Sequence, residues 1–461
     1  MPDRYAVVWS RAGGAPVKMG NLVATSQECR FSYEPSFLST GLPGLSLIAP
    51  PLLLKTAPLI HKASERFPLH PRFMALIPPN LPGNLQRRVY AELLAKLDPP
   101  PAPGFDTEWA ILMMAGHNGI GHVDVFQSDL AAQLWYGQPT PSRVWAPGRS
   151  GVWQVLREEV QQTGRLDVAS AKLLTDFMGP TPTVGGMTTK LLAAIPDRNT
   201  WDGMLALPGT REVRGTSFVD VLVKIEQPGY EGITALEDLA YQVHDELKFP
   251  VPRRWRLTIE GLHVLAVERF DRTLQGLPIP FESLFTVFAG GSTRVASTTD
   301  LELPEVADWL RKLPNLCALP VTPTLRSVFR RISLALMLGN GDLHLDNLGL
   351  LGGYSEVGLS PVYDPAPMRA WPKHNQRLAT PIDFQSGLSI YQQIADVGSQ
   401  FGLNRAQAVN VLREMFEATS GYAQRIAALV DVPGARKDFL SSVVQAERRL
   451  VLDWLTKKPR R

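Results

Sequence analysis

The stretch Gly339-Asn340-Gly341-Asp342-Leu343-His344-Leu345-Asp346-Asn347-Leu348, followed by Val362-Tyr363-Asp364, decides how the rest of the chain is read. An apolar run, Leu334 to Leu338, leads into it, and Leu348-Gly349-Leu350-Leu351 leads out. The polar residues are therefore expected on a loop at one edge of a core. Two carboxylates and an amide in such a place are what phosphoryl transfer from a nucleotide requires. Asp342 is the candidate catalytic base, and Asn347, five residues on, the candidate metal ligand. His344 is the second catalytic candidate; its alternative role is to fix the loop by hydrogen bonds. Asp364 lies 17 residues after Asn347, at a strand exit. A returning turn would set it opposite Asn347 as the second metal carboxylate. The alternative is an ordinary turn aspartate before Pro365.

Upstream, Lys224 interrupts the apolar strand Val221-Leu222-Val223-Lys224-Ile225. A lysine there costs desolvation unless it meets an anion, which nucleotide phosphates and a helix glutamate would supply. An edge-strand lysine reaching solvent is the alternative. Glu237 opens the next helix and is the expected partner, although Thr234-Ala235-Leu236-Glu237 also fits a capping box. Gly185 and Gly186, in Val184-Gly185-Gly186-Met187-Thr188-Thr189-Lys190, would let backbone N–H groups approach phosphates, with Lys190 beside them. A hairpin turn is the alternative. Glu268 and Phe270, in Val267-Glu268-Arg269-Phe270-Asp271-Arg272, end a strand where backbone groups could meet adenine, unless the strand end is only salt-bridged. The order of these features, glycine loop to final aspartate, is harder to obtain by accident than any one of them.

The chain has 461 residues, 44% of them apolar and 20% charged, with a net charge of +3. That suits a soluble protein of two or three domains and does not by itself imply nucleic-acid binding. Two distant cysteines, Cys29 and Cys317, exclude a disulfide framework and point to a reducing, cytoplasmic setting. No run approaches the roughly 20 apolar residues that span a bilayer, and Met1-Pro2-Asp3-Arg4-Tyr5 lacks a signal-peptide plan. Strands are expected at 5–9, 19–32, 119–127, 189–195, 218–226 and 262–270, and helices at 84–97, 107–115, 151–163, 234–247 and across 405–457. The proline-rich 99–104 marks a boundary or stiff spacer. The expected fold is α+β and two-lobed like a protein kinase, with a β-rich N-terminal part and an α-rich C-terminal lobe. Its expected divisions are 1–104, 105–275 (nucleotide binding) and 276–461 (helical, catalytic).

Over nearly its whole length the sequence resembles the HipA family, the serine/threonine kinase toxins of bacterial toxin–antitoxin pairs. Phe31-Ser32-Tyr33-Glu34-Pro35-Ser36-Phe37-Leu38 and Leu45-Ser46-Leu47 resemble its N-terminal segments. Ala266 to Arg272, Gly339 to Asn347, and Tyr363-Asp364 resemble its most specific motifs. The resemblance implies Asp342 as base, Asn347 and Asp364 as Mg2+ ligands, Lys224 on the phosphates of ATP, and Glu268 and Phe270 at the adenine. It further implies autophosphorylation ahead of the glycine loop, where Thr183 matches the family's serine and Thr181 lies close by. It implies a small helix-turn-helix antitoxin through which DNA is mainly contacted. As protein substrate it implies a translation component, an aminoacyl-tRNA synthetase being the first class to test. Two departures stand out. The glycine loop differs from the family's A-G-A-Q-x-K, and Asp346 stands where a lysine is frequent.

Two rival readings make different demands. A kinase fold that has lost turnover would act only with its antitoxin and DNA. A metallophosphoesterase would use Gly341-Asp342-Leu343-His344 with Gly116-His117-Asn118 and His122 as metal ligands, although such a motif would be expected earlier in the chain.

Overall fold

A computed structural model describes residues 3–47, 55, 57–81, 84–139, 142–148, 151–161, 174, 189–315, 317–353, 356–382 and 388–456. The chain divides into two compact units. Unit 1 comprises Met1–Gly229, Pro252–Glu282 and Leu351–Tyr354; unit 2 comprises Tyr230–Val251, Ser283–Leu350 and Ser355–Arg461.

Unit 1 opens with an antiparallel sheet of β1 (Arg4–Ser10), β2 (Val17–Ala24), β3 (Glu28–Tyr33), β4 (Leu59–Lys62) and β5 (Val123–Phe126), in the order β4-β3-β2-β1-β5. The single strand expected over 19–32 is two, because Thr25 makes a turn. Its hydroxyl oxygen accepts from the N–H groups of Gln27 and Glu28, both at 3.2 Å, and its own N–H donates to the Glu28 carbonyl at 2.8 Å. Met19, Leu22, Phe31, Phe37 and Phe73 pack in one core with Ile111, Leu112 and Val125. The helix Phe105–Ala115 and strand β5 thus join the N-terminal sheet, and the prolines at 99–104 do not separate two compact units.

The second sheet of unit 1 contains β6 (Val144–Trp145), β7 (Thr189–Pro196), β8 (Leu205–Ala206), β9 (Glu212–Val213), β10 (Thr216–Ile225), β11 (Arg254–Ile259) and β12 (Leu262–Glu268). Its order is β11-β12-β10-β7-β8-β6, with β9 pairing β10 to the side. Leu191, Ala193, Ile195, Val221, Val223, Ile225, Val264 and Ala266 supply one buried face. Alternation along β7 and β10 sends Lys190 and Lys224 to the other face.

Unit 2 is mainly helical. Its helix Val321–Leu338 is buried along most of its length and ends where Gly339 adopts the left-handed conformation (φ 75°). The region expected as one helical run over 405–457 holds three helices, Arg405–Ala418, Tyr422–Ala428 and Gly434–Thr456. The helix Ile233–Glu246, expected with the nucleotide-binding strands, belongs to unit 2. There Gly232 lies against Val432, and Arg425 donates to Glu246 at 2.9 Å and Gln242 at 3.1 Å. Among the described residues, no helix is long and apolar enough to cross a membrane.

Candidate active site

The loop after Gly339 is held by its own polar side chains. Buried Asn340 accepts the Asp342 N–H on Oδ1 at 2.9 Å. Asn347 donates from Nδ2 to the Asp342 carbonyl at 2.8 Å, which leaves its Oδ1 as the atom that could hold a metal. His344 accepts the Asp346 N–H on Nδ1 at 3.2 Å and caps the turn Leu345–Asn347. Its Nε2 stands 3.8 Å from Asp342 Oδ1. His344 is thus spent on shaping the loop beside the carboxylate. The Asp342 side chain is 39% exposed, accessible to an incoming hydroxyl. Gly341 is required by packing: a Cβ there would collide with the Gln376 carbonyl oxygen.

Asp364 is brought to the same unit by a strap running back from Ser360. Ser360 N–H donates to Gly349 O, Val362 N–H to Pro250 O, and Tyr363 Oη–H to Asp346 O, each at 2.8 Å. Asp364 has φ 54°, a left-handed backbone that is costly for a residue with a Cβ, and its N–H donates to the Tyr241 hydroxyl at 3.2 Å. Burial drives the Tyr363 phenol well above its usual range, and Asp346 and Asp364 add to the effect, so it remains a donor. Asn340 and Tyr363 fall inside the motifs quoted above, where the sequence assigns them no role of their own, and Tyr241 lies outside those motifs.

Glu237 sits on the helix Ile233–Glu246, buried at 2% exposure. The capping-box alternative does not hold: the N-cap is Gly232, left-handed at φ 88°, and no side chain caps this end. Thr234 is the second helical residue, so Glu237 lies beyond the cap.

In unit 1, β10 lies between β7 and β12, so Lys224 is not an edge residue. It pairs directly with Lys190 across the antiparallel ladder, and the two are 3% and 4% exposed. Opposed residues share a face, so two buried lysine side chains leave the sheet on the same side. A buried ammonium is stable only beside anionic or hydrogen-bonding groups. At the end of β12, Glu268 takes the salt-bridged form. Its carboxylate receives Arg253 Nε at 2.6 Å and Nη2 at 3.0 Å, and its N–H donates to Arg253 O at 2.9 Å. Its carboxylate and N–H are therefore committed within unit 1, and an adenine would meet other backbone groups near Phe270. The Phe270 ring packs edge-on against Phe281 at 5.5 Å.

The rest of that motif builds a buried latch. Asp271 receives Arg269 and Arg272 at 2.8 Å and the Gly121 N–H at 2.8 Å, while the two arginines also donate to Gly119 O. Burial raises the Asp271 carboxyl, but the two guanidiniums outweigh it and hold the pKa at about 2. Thr181, Thr183, Gly185 and Gly186 lie outside the described residues.

The donor types suit magnesium: an amide oxygen from Asn347 and a carboxylate oxygen from Asp364, with no thiolate or imidazole required. The opposed lysines suit a polyphosphate. The phosphoesterase reading is not supported by its proposed ligands. His117 stacks on Phe126 at 4.7 Å, and His122 Nε2 bonds Gly44 O at 2.9 Å; both histidines are buried. Among the described residues, no three His, Cys, Asp or Glu side chains cluster as a metal site of that kind.

Comparison with protein families matches residues 183–422, just over half the chain, to the HipA-like C-terminal domain. Among solved structures, the chain is similar to HipA of the Shewanella oneidensis MR-1 toxin–antitoxin system, solved with HipB and its operator DNA. The identity is 18%, the match covers 97% of each chain, and the TM-score is 0.64. A shorter similarity, at 13% identity and TM-score 0.34, covers 50% of this chain and 88% of the Helicobacter pylori proinflammatory kinase CtkA. No curated protein matches.

Proposed function

The chain belongs to the HipA family, and on that premise we propose that it is an ATP-dependent serine/threonine protein kinase acting as the toxin of a toxin–antitoxin pair. The observation that carries this reading is the Asp342–Asn347 loop, with Asp364 returned to it in a strained backbone conformation. Asp342 takes the proton from a serine or threonine hydroxyl as that oxygen bonds to the γ-phosphorus and the bond to the β-phosphate oxygen breaks. Asn347 and Asp364 would hold Mg2+, which would supply positive charge to neutralise the phosphates. Asn340, His344 and Tyr363 keep the loop in place. Lys190 and Lys224 contribute positive charge for the phosphates of ATP, with Gly185 and Gly186 in the preceding loop and Glu237 as a supporting carboxylate. Thr183, or Thr181 near it, is the proposed autophosphorylation site.

The Shewanella protein was solved with HipB and operator DNA. By analogy the proposed partner is a small helix-turn-helix antitoxin that makes most of the DNA contact. The proposed protein substrate is a translation component in the cytoplasm, an aminoacyl-tRNA synthetase being the first class to test.

The test is intact mass after incubation with Mg·ATP, beside Asp342→Ala. One added phosphate in the wild type and none in the variant is expected, with both proteins melting within a few degrees of one another. Peptide mapping then locates the phosphate. No transfer with retained stabilisation by ATP would favour the kinase-fold module without turnover. No transfer and no stabilisation would overturn the kinase reading.

A further inference from the structure

The short turn Pro372–His374 and the residues after it pack against the Asp342 loop within unit 2. Gln376 Nε2 donates to Gly341 O at 3.2 Å, and the Gln376 carbonyl oxygen is the atom that excludes a Cβ at Gly341. Three side chains of this region gather on Tyr230. The His374 ring stacks on it at 5.8 Å with an interplanar angle of 20°, and His374 Nε2 shares a 2.9 Å hydrogen bond with its hydroxyl. Trp371 lies against it at 5.5 Å. The Lys373 ammonium stands 4.3 Å from the centroid of the same ring. The cluster is within electrostatic reach of the candidate base. Burial and the Lys373 charge push the His374 imidazole below its ordinary 6.5, while the Asp342 carboxylate acts in the opposite direction.

Positive charge is in excess along this rim. Arg369 and Arg377 both donate to the single carboxylate of Glu447, each at 2.7 Å. Arg436 lies 4.8 Å from the Trp371 ring, with Glu231 4.0 Å away. Lys373 is exposed and makes no ion pair among the described residues. An aromatic face, not a carboxylate, holds its ammonium, so its charge stays open to a second molecule.

We propose that Lys373, placed by Tyr230 and His374, is the specificity-determining residue of an acceptor subsite, and that it selects a serine or threonine flanked by an Asp or Glu side chain. A hydroxyl delivered to Asp342 brings the neighbouring residues of its own chain over the rim that Gln376 fixes to Gly341. A carboxylate on one of them meets an ammonium already in place, whereas a lysine or arginine meets a like charge. This inference rests on the kinase reading and adds the class of acceptor to it.

The test presents the full chain with Mg·ATP and matched peptides, each with one serine flanked by Asp/Glu, Asn/Gln or Lys/Arg. Autophosphorylation is followed in the same samples by intact mass. The acidic peptides should exceed the neutral ones in kcat/KM by roughly threefold to fivefold, mainly through KM, as an exposed charge pair allows. That preference should shrink as sodium chloride is raised. Lys373→Gln should abolish it and Lys373→Glu reverse it towards the basic peptides, a change that a merely structural lysine does not produce. Lys373 is exposed, so both variants should melt with the wild type. A preference that is absent in the wild type, or unchanged in Lys373→Glu, overturns the subsite and leaves the kinase reading standing. Autophosphorylation with no transfer to the acidic peptides does the same. No transfer of either kind overturns the kinase reading, and the subsite falls with it.

Discussion

Asp364 shows at the scale of one residue how function and stability are opposed. Its left-handed backbone (φ 54°) is favourable for glycine and costs a residue with a Cβ about 1 kcal/mol or more. Asp364→Gly and Asp364→Ala both remove the carboxylate, so the difference between them isolates the backbone. The glycine variant should be more stable than the alanine variant by roughly 1 kcal/mol in urea unfolding. Both should lose phosphate transfer. Equal stabilities would mean that the conformation relaxes freely and is not imposed by the Tyr241 and Tyr363 anchors.

At the scale of elements, register matters more than residue type. The pairing of β7 with β10 puts Lys190 opposite Lys224, and a slip of one residue would turn one lysine to the apolar face. Lys190→Met and Lys224→Met should each sharply reduce the rise in melting temperature caused by ATP. A full ATP response in both would remove the lysine pair from the nucleotide site. In unit 2, the helix Gly434–Thr456 reaches the neighbourhood of the Asp342 loop through Glu447, which is 1% exposed. Its carboxylate receives Arg369 and Arg377 at 2.7 Å and the Tyr391 hydroxyl at 2.9 Å. Arg369 N–H in turn donates to Gly339 O at 3.0 Å, and Gln376 Nε2 to Gly341 O at 3.2 Å. Glu447→Ala leaves Arg369 buried without its partner and should cost about 3–5 kcal/mol. Glu447→Gln, which keeps an acceptor, should cost less. A loss below about 1 kcal/mol on denaturant unfolding would show that the helix does not depend on this hub.

For the whole molecule, buried histidines predict the response to acid. Burial lowers His70 and His122 in unit 1 to about 3, and His244 in unit 2 to about 4, from an ordinary 6.5. The unfolded chain therefore takes up protons below about pH 6.5 that the folded chain refuses, and stability falls as pH drops from there towards 4. Each such histidine contributes up to about 1.4 kcal/mol per pH unit in that window. Asp271 acts lower. Its depressed pKa stabilises the fold above its unfolded value near 3.8, and that contribution is lost as pH falls through about 2. A melting temperature that declines from pH 6.5 to 4 is expected, with a shallower decline in His122→Gln. An identical slope in that variant would show that His122 is not held neutral by the fold.

The sequence by itself determined what is local. Asp342, His344 and Asn347 fall within six residues, and the bonds that shape their loop close over two to five positions, so spacing alone carries that geometry. The HipA resemblance, the α+β fold and the main strands were legible for the same reason: motif and hydrophobic period are written along the chain. Tertiary structure alone decided what joins distant segments. It set Lys190 against Lys224, gave the helix Ile233–Glu246 to the helical unit, and built β4, β6, β8, β9 and β11, whose sequences carry no strong period of their own. It paired Glu268 with Arg253, 15 residues away in the chain. Such outcomes depend on which of many long-range pairings buries the most surface and satisfies the most polar groups, and no window of sequence contains that competition.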